Sequence, residues 1–406
     1  MPVISAPLDF NEDELFVDLQ SISGRSLFLK CEGFNFAGSI KLKAAGAMVE
    51  AAERDGLLRP GSVLVESSSG NLGVALAMIA ASKGYRFVCV TDARCNAATR
   101  RLIEALGSEV HVIEQPAEPG GFLAARINHV RALCDSDDRY VWLNQYSNPA
   151  NWQAHYSTTA PAIARQFPHL DVLFVGAGTT GTLMGCARYF QEWHPHVRIV
   201  AVDAVGSVTF GTPAGRRMIP GLGTSVRPPM LDESYVDEVR HVEEADTIRT
   251  CHRLARRGFL FGGSTGTVVS GAVDWLAEHD RSGLTAVALS PDLGERYLDT
   301  VYQPDWVQEH YGEDVLDLGT ERACSGRPHR QERRLSRVAA AAVPSTRMPS
   351  ALPSSVSVAP TAAIDGPANA VPRGTDRTLT DEFAASTAGS AAGAAERWTS
   401  VVDSEA

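Results

Sequence analysis

The chain has 406 residues, 44% of them hydrophobic, and a formal net charge of -11. Its isoelectric point is near 5.5. That length and apolar share suit a chain with two packed lobes, while the acidic balance argues against nucleic acid or an anionic membrane as partners and leaves small molecules.

The first sixteen residues, MPVISAPLDFNEDELF, carry acidic side chains and no apolar h-region. No later stretch reaches the roughly 18 apolar residues that a membrane span needs. From about residue 24 to 310, short β-branched runs alternate with helix-like stretches, the pattern of an α/β fold on parallel sheet.

The first such run, Leu27-Phe-Leu-Lys30, leads into Asn35-Phe-Ala-Gly-Ser-Ile-Lys41 and then an Ala-rich helix from Leu42 to Ala52. Lys41 therefore stands at a helix start beside a Gly-Ser turn. Desolvation there would lower its pKa and leave a reactive, partly neutral amine; a surface lysine at a helix start fits the motif equally well. Only Lys30, Lys41, Lys43 and Lys83 among 37 basic residues are lysine, so a retained lysine points to amine chemistry.

The strand Ser62–Glu66 is followed by Ser67-Ser-Ser-Gly-Asn-Leu-Gly73 and a helix over Val74–Ser82. Backbone N–H groups at that helix start, with short hydroxyls around them, suit a carboxylate. A strand over Arg86–Val90 comes next. Gly120-Gly-Phe-Leu-Ala-Ala-Arg-Ile127 then opens a helix that bears Arg126, and Asn144-Gln-Tyr-Ser-Asn148 follows a strand and presents Gln145 and Tyr146.

After the strand Asp171–Val175, Gly176-Ala-Gly-Thr-Thr-Gly-Thr182 offers glycines and threonines able to wrap a phosphate. It lacks the Lys-Ser/Thr ending of a P-loop but satisfies the dinucleotide pattern GxGxxG, and Asp203, after the strand Arg198–Val202, fits the acidic residue that such a site expects. Gly262-Gly-Ser-Thr-Gly266 places the Ser264 hydroxyl at another helix start, where a heteroaromatic nitrogen would meet it. The strand Thr285–Leu289 runs into Ser-Pro-Asp-Leu-Gly-Glu-Arg-Tyr297, a turn suited to closing a site.

Beyond about residue 320 the composition turns to Ala, Ser, Pro, Thr and Arg. This reads as a low-complexity, mostly disordered tail over 321–406, with a weak helix signal near Thr380–Ala385. The seven cysteines are scattered, with no CxxC pair or metal-ligand spacing; a reduced cytoplasmic compartment and no metal fit best.

Together these segments resemble, in order and over roughly residues 24–306, the cysteine synthase superfamily of fold-type II pyridoxal-phosphate (PLP) enzymes. The dinucleotide reading is thereby demoted. The resemblance implies a tryptophan synthase β-like α/β fold of two interleaved lobes within residues 1–320. Each lobe has a mostly parallel sheet flanked by helices, and the smaller spans about 45–150. It implies Lys41 as the catalytic, Schiff-base lysine, and Asn71 beside the phenolic oxygen of the cofactor. Gly178, Thr179, Thr180, Gly181 and Thr182 would hold the phosphate and Ser264 the pyridine nitrogen. Ser68, Ser69 and Gly70 would bind the substrate carboxylate; Gln145, Arg126 and Tyr146 are added as substrate candidates on chemical grounds, since any further carboxylate in the site needs a cation, for which arginine is the natural clamp. A homodimer is also implied.

Three further stretches are similar to one branch, the N-(2-amino-2-carboxyethyl)-L-glutamate synthases that begin 2,3-diaminopropionate formation in siderophore and peptide-antibiotic pathways. They are Asn144–Tyr156, Val202–Gly211 and Pro291–Asp299. That likeness implies O-phospho-L-serine and L-glutamate as substrates. The alternatives are a cysteine synthase or O-ureidoserine synthase and, in another class, a PLP-binding partner protein without catalysis. Phe36 stands where the superfamily usually has proline, Leu42-Lys43 where it has Asp-Arg, and Ser68 where it has threonine.

Overall fold

The computed structural model describes residues 3–10, 13–118, 120–279 and 283–317; the tail, with the helix signal at 380–385, lies outside them. All elements below belong to the compact unit Met1–Ala341.

The chain runs through β1 (Phe16–Asp18), α1 (Gln20–Ser23), β2 (Leu27–Cys31), α2 (Lys41–Arg54), β3 (Val63–Ser67), α3 (Asn71–Lys83) and β4 (Arg86–Asp92). It continues through α4 (Ala97–Ala105), β5 (Glu109–Ile113), α5 (Gly121–Ser136), β6 (Tyr140–Trp142), α6 (Pro149–Ser157), α7 (Thr159–Gln166) and β7 (Val172–Gly176). The last part holds α8 (Gly181–Trp193), β8 (Arg198–Ala204), β9 (Glu238–Val242), α9 (Glu244–Ala255), α10 (Gly263–Glu278), β10 (Ala286–Ser290) and α11 (Pro304–Tyr311).

Two sheets result. One has six strands in the order β1-β2-β10-β7-β8-β9 and the other four in the order β5-β4-β3-β6. Among the strands of the described residues only the β1–β2 pair is antiparallel. The chain leaves the larger sheet after β2, builds the smaller one, and returns at β7.

Parallel strands covered by helices on both faces bury both sides. Hence Ala286–Ser290 and Val63–Ser67 are buried at every position, and they read as apolar runs over 286–289 and 63–65 rather than as alternation. The helix α3 is hydrophobic nearly all round, with Leu72, Val74, Leu76 and Ile79 all buried, as a helix enclosed in the core must be. By contrast β9 carries Glu238 and Arg240. Both are buried yet paired, Glu238 with the Trp275 indole at 2.8 Å and Arg240 with Glu278. Charged residues in a strand mask its apolar signal.

Candidate active site

The loops that carry the motifs lie at the carboxyl ends of β2, β3, β7 and β10, where parallel-sheet folds gather their ligand sites. Asn35 shapes the loop before Lys41. Its Nδ2 donates to the Glu32 and Ser39 carbonyls at 3.0 and 2.9 Å, and its Oδ1 accepts from the Ala37 N–H at 3.0 Å. The Ile40 N–H donates to the Pro291 carbonyl at 2.7 Å, which ties this loop to the end of β10.

Lys41 is the first residue of α2, and its amine makes no hydrogen bond or ion pair among the described residues. Burial pulls its pKa down to about 8, while Asp292 and Glu66 act the other way. A fraction of neutral amine therefore exists near physiological pH, as a nucleophilic lysine requires. The adjoining cleft, about 410 Å³ counted to its open mouth, is lined by Lys41, Gly178, Thr179, Thr180, Thr182 and Gly221 among others.

Across this cleft the loop after β7 is folded tightly. Thr180 takes the left-handed region at φ 68°, unusual for a branched residue and a mark of a constrained functional turn. At Gly181 a Cβ would fall 2.1 Å from the Asn151 Oδ1, and at Gly178 one would fall 2.9 Å from the Gly221 carbonyl. Among the described residues the N–H groups of Gly178, Thr179, Thr180, Gly181 and Thr182 donate to no protein acceptor. Five unpaired donors at a helix start suit a phosphate. The turn after β3 repeats the arrangement: among the described residues the N–H groups of Ser69, Asn71 and Leu72 are unpaired, and a Cβ at Gly70 would meet open space.

Ser68 serves the turn itself. Its Oγ accepts from the Gly73 N–H at 2.9 Å and from the Gly70 N–H at 3.3 Å. The Ser69 hydroxyl has no protein partner among the described residues, so of the two serines it is the one free to meet a ligand. Ser264, on the first turn of α10, is 2% exposed. A Cβ at Gly221 would sit 2.1 Å from its Oγ and 3.7 Å from the Tyr297 hydroxyl, so glycine at 221 is what leaves Ser264 room.

The remaining substrate candidates gather around the smaller sheet. Gln145 donates from Nε2 to the Ser67 carbonyl at 2.9 Å and from its N–H to Glu66 at 3.2 Å. Arg126 is buried rather than solvated, with its Nε 3.3 Å from Asp92 Oδ2. Tyr146 is buried nearby, and burial raises its phenol pKa. Glu66 carries a pKa pushed up to about 7 by burial, against donors from Trp142, Ser67 and Gln145 and the charge of Arg126. Arg126 thus already faces two carboxylates.

Three residues of the closing turn enter the site as individuals that sequence reasoning did not single out. The Asp292 carboxylate accepts from the Asn71 Nδ2 at 2.8 Å and the Tyr297 hydroxyl at 2.6 Å. Arg296 donates to Asn71 Oδ1 and to the Ala37 carbonyl. The usable signal was the density of polar residues directly after a buried strand.

The residues fit PLP: an unpartnered buried amine faces a phosphate-sized nest of donors, with a buried hydroxyl at a glycine-walled position beside it. Fold and site together define a fold-type II PLP enzyme. The chain belongs to the pyridoxal-phosphate dependent enzyme family, whose model matches residues 15–292.

The chain is 41% identical over 283 residues to N-(2-amino-2-carboxyethyl)-L-glutamate synthase of Ralstonia nicotianae, covering 69% of this chain and 83% of that one. It is 40% identical over 298 residues to the enzyme of the same name in Cupriavidus metallidurans, covering 72% and 87%. Among solved structures it is similar to a mutant of O-ureido-L-serine synthase with O-ureido-L-serine bound. There the TM-score is 0.70 at 34% identity, over 76% of this chain and 95% of that one. A hydrogen sulfide-producing enzyme of Fusobacterium nucleatum aligns at TM-score 0.69 and 31% identity, over 73% and 100%. Among the described residues no helix is long and apolar enough to cross a membrane.

Proposed function

We propose that this protein replaces the phosphate of O-phospho-L-serine by L-glutamate, giving N-(2-amino-2-carboxyethyl)-L-glutamate and inorganic phosphate, a step toward 2,3-diaminopropionate for a siderophore or peptide antibiotic. The Cβ–O bond of phosphoserine breaks, the phosphate leaves with the electron pair, and a Cβ–N bond to glutamate forms with loss of one amine proton. What carries the reading is the pairing of two donor nests on either side of one unpartnered amine, in a chain about two-fifths identical to two synthases of that name.

When bound, PLP supplies an electron sink for the charge left at Cα as its proton departs. The chain's own groups do the rest. The loop of Gly178, Thr179, Thr180, Gly181 and Thr182 binds the cofactor phosphate, and Ser264 meets the pyridine nitrogen. A neutral hydroxyl there, unlike an aspartate, does not hold that nitrogen protonated, which favours elimination over transamination. Ser69 and Asn71 orient the substrate carboxylate through unpaired N–H groups, with Gly70 leaving the space before them open and Gln145 and the turn-forming Ser68 behind them. Lys41 would hold the cofactor, and its amine, with a pKa lowered to about 8 by burial, suits a base that takes the α-proton.

Glutamate adds two carboxylates and needs a cation. Arg126 and Tyr146 are assigned to it, with Asp92 sharing the guanidinium. We further place the enzyme in the cytoplasm as a homodimer, in keeping with cysteines that are free at 31, 89, 95, 134, 186 and 251.

The test is a competition assay in which O-phosphoserine meets glutamate and sulfide together and the products are weighed by mass spectrometry. The glutamate adduct is expected to dominate; cysteine as the main product would overturn the proposal in favour of a cysteine synthase.

A further inference from the structure

A buried polar chain runs from the phosphate loop into the protein, through residues that the reaction itself does not use. The Thr182 Oγ1, facing the cleft, is 3.2 Å from His155 Nε2. The other nitrogen of that ring, Nδ1, is 3.1 Å from Thr159 Oγ1. Thr159 in turn accepts from the Lys43 ammonium at 3.2 Å. Lys43 also forms ion pairs with Glu32, at 2.7 Å, and with Asp13. His155 and Thr159 are 1% and 0% exposed, so the links from Lys43 through Thr159 to the ring are shielded from bulk water. Gly185 holds the ring's helix close, since a Cβ there would lie 2.7 Å from the His155 Cβ.

The direction of each bond follows from what each group can do. An ammonium only donates, so Thr159 Oγ1 accepts from Lys43. The Thr159 hydroxyl proton then has one acceptor in reach among the described residues, His155 Nδ1; any other arrangement leaves it buried and unpaired, at a cost. Burial and the charges of Lys43, Lys41 and Lys30 hold His155 well below its usual pKa, so the ring is neutral and carries one proton. With Nδ1 accepting, that proton is on Nε2 and is donated to Thr182 Oγ1. The Thr182 hydroxyl proton is left free to point into the cleft.

We infer that Lys43, Thr159 and His155 are positioning residues that fix the His155 tautomer and so turn the Thr182 hydroxyl into an obligate donor toward the cofactor phosphate. With the opposite polarity Thr182 would donate to His155 and present lone pairs to an anion. The relay draws on the Lys43 charge, because hydrogen bonds in series polarise one another in a low-dielectric interior. It also gives Lys43 a role separate from the amine chemistry of Lys41. The inference rests on the assignment of the phosphate to the loop at Gly178–Thr182.

Two measurements test it, the first on the wild-type apoprotein. Nitrogen-15 NMR of histidine-labelled protein, with His155 assigned by the signal lost in His155→Gln, is expected to show protonated Nε2 and bare Nδ1. A protonated Nδ1 overturns the relay, whatever the variants do. The second is titration of apoprotein with PLP and with pyridoxal, which lacks the phosphate. Thr159→Val is expected to weaken PLP about tenfold, the scale of one charge-assisted hydrogen bond, and to leave pyridoxal unchanged; Thr159→Ser restores PLP binding. Equal weakening of both ligands, or of neither, overturns the relay. Thr182→Val should weaken PLP by a similar factor, and full PLP affinity there overturns the relay; the site assignment fails separately, if the wild-type apoprotein binds PLP no more tightly than pyridoxal.

Discussion

Asn71 and Asp292, 221 residues apart in the chain, are joined by a 2.8 Å hydrogen bond that links the first residue of α3 to the turn after β10. The same carboxylate raises the Lys41 pKa against the burial that lowers it. Asp292 is therefore a brake on how far the amine is depressed. In the apoprotein, labelling of Lys41 by an amine reagent should titrate with a midpoint near 8. Asp292→Asn should move the midpoint lower still, because a stabilising negative charge is removed while the burial stays. A midpoint that rises, or stays at the wild-type value, would detach Asp292 from the amine.

Lys41→Ala should abolish both product formation and the violet-edge absorbance of the cofactor-loaded protein. The neighbouring Lys43 cannot take over, since Glu32 and Asp13 more than offset its burial and keep its pKa raised. Borohydride reduction followed by peptide mapping checks this, and a label on Lys30, Lys43 or Lys83 would refute the assignment.

For Arg126→Ala, the glutamate KM should rise by roughly one to two orders of magnitude, the equivalent of about 1.5–3 kcal/mol. Release of phosphate from O-phosphoserine in the absence of glutamate should persist, because it depends on Lys41, Ser69 and Asn71. Arg126→Lys controls for the buried Asp92 left without its partner. An unchanged glutamate dependence removes Arg126 from the site, and loss of both reactions assigns it to the fold.

Glu66 links the pH scale to stability. Its folded pKa lies above the ordinary carboxyl value, at about 7, so the protonated form is favoured in the folded state. Its favourable contribution is complete below the unfolded pKa of about 4.5 and is lost as pH rises through 7. Glu66→Gln should flatten that part of the profile relative to wild type. Thermal melts of the two apoproteins between pH 4.5 and 8 measure the difference; parallel curves would show that Glu66 does not titrate in this window.

Residues of this kind set how far the sequence could be read. Lys41, Asn71, the loop at Gly178–Thr182 and Ser264 stand out as candidates because each lies in a short Gly- and Ser- or Thr-containing segment at a helix start. The strands β3, β4, β7, β8 and β10 are legible within a residue or two because burial on both faces demands apolar runs. The network of Lys43, Thr159 and His155 is not legible, since Lys43 and Thr159 are 116 residues apart and meet only once α2 packs beside α6 and the first residue of α7. Nor does Arg126 reveal its partner: Asp92 lies in the end of β4, where sequence reads a strand terminus and not half of an ion pair.

The pairing of β2 with β10, in register from Leu27 with Ala286 to Cys31 with Ser290, sets an order of events in synthesis. The smaller sheet, β3 to β6, is complete by Trp142 and can form while later residues are still on the ribosome. The strand that leads to Lys41 must wait, edge exposed, until its neighbour emerges some 260 residues later. Domain-wise folding during translation and the slow closure of long-range parallel pairs then make the enclosure of Lys41, whose helix packs with the smaller sheet, one of the last steps. A nascent chain stalled before Ala286 would hold a folded smaller sheet and a lysine still facing solvent.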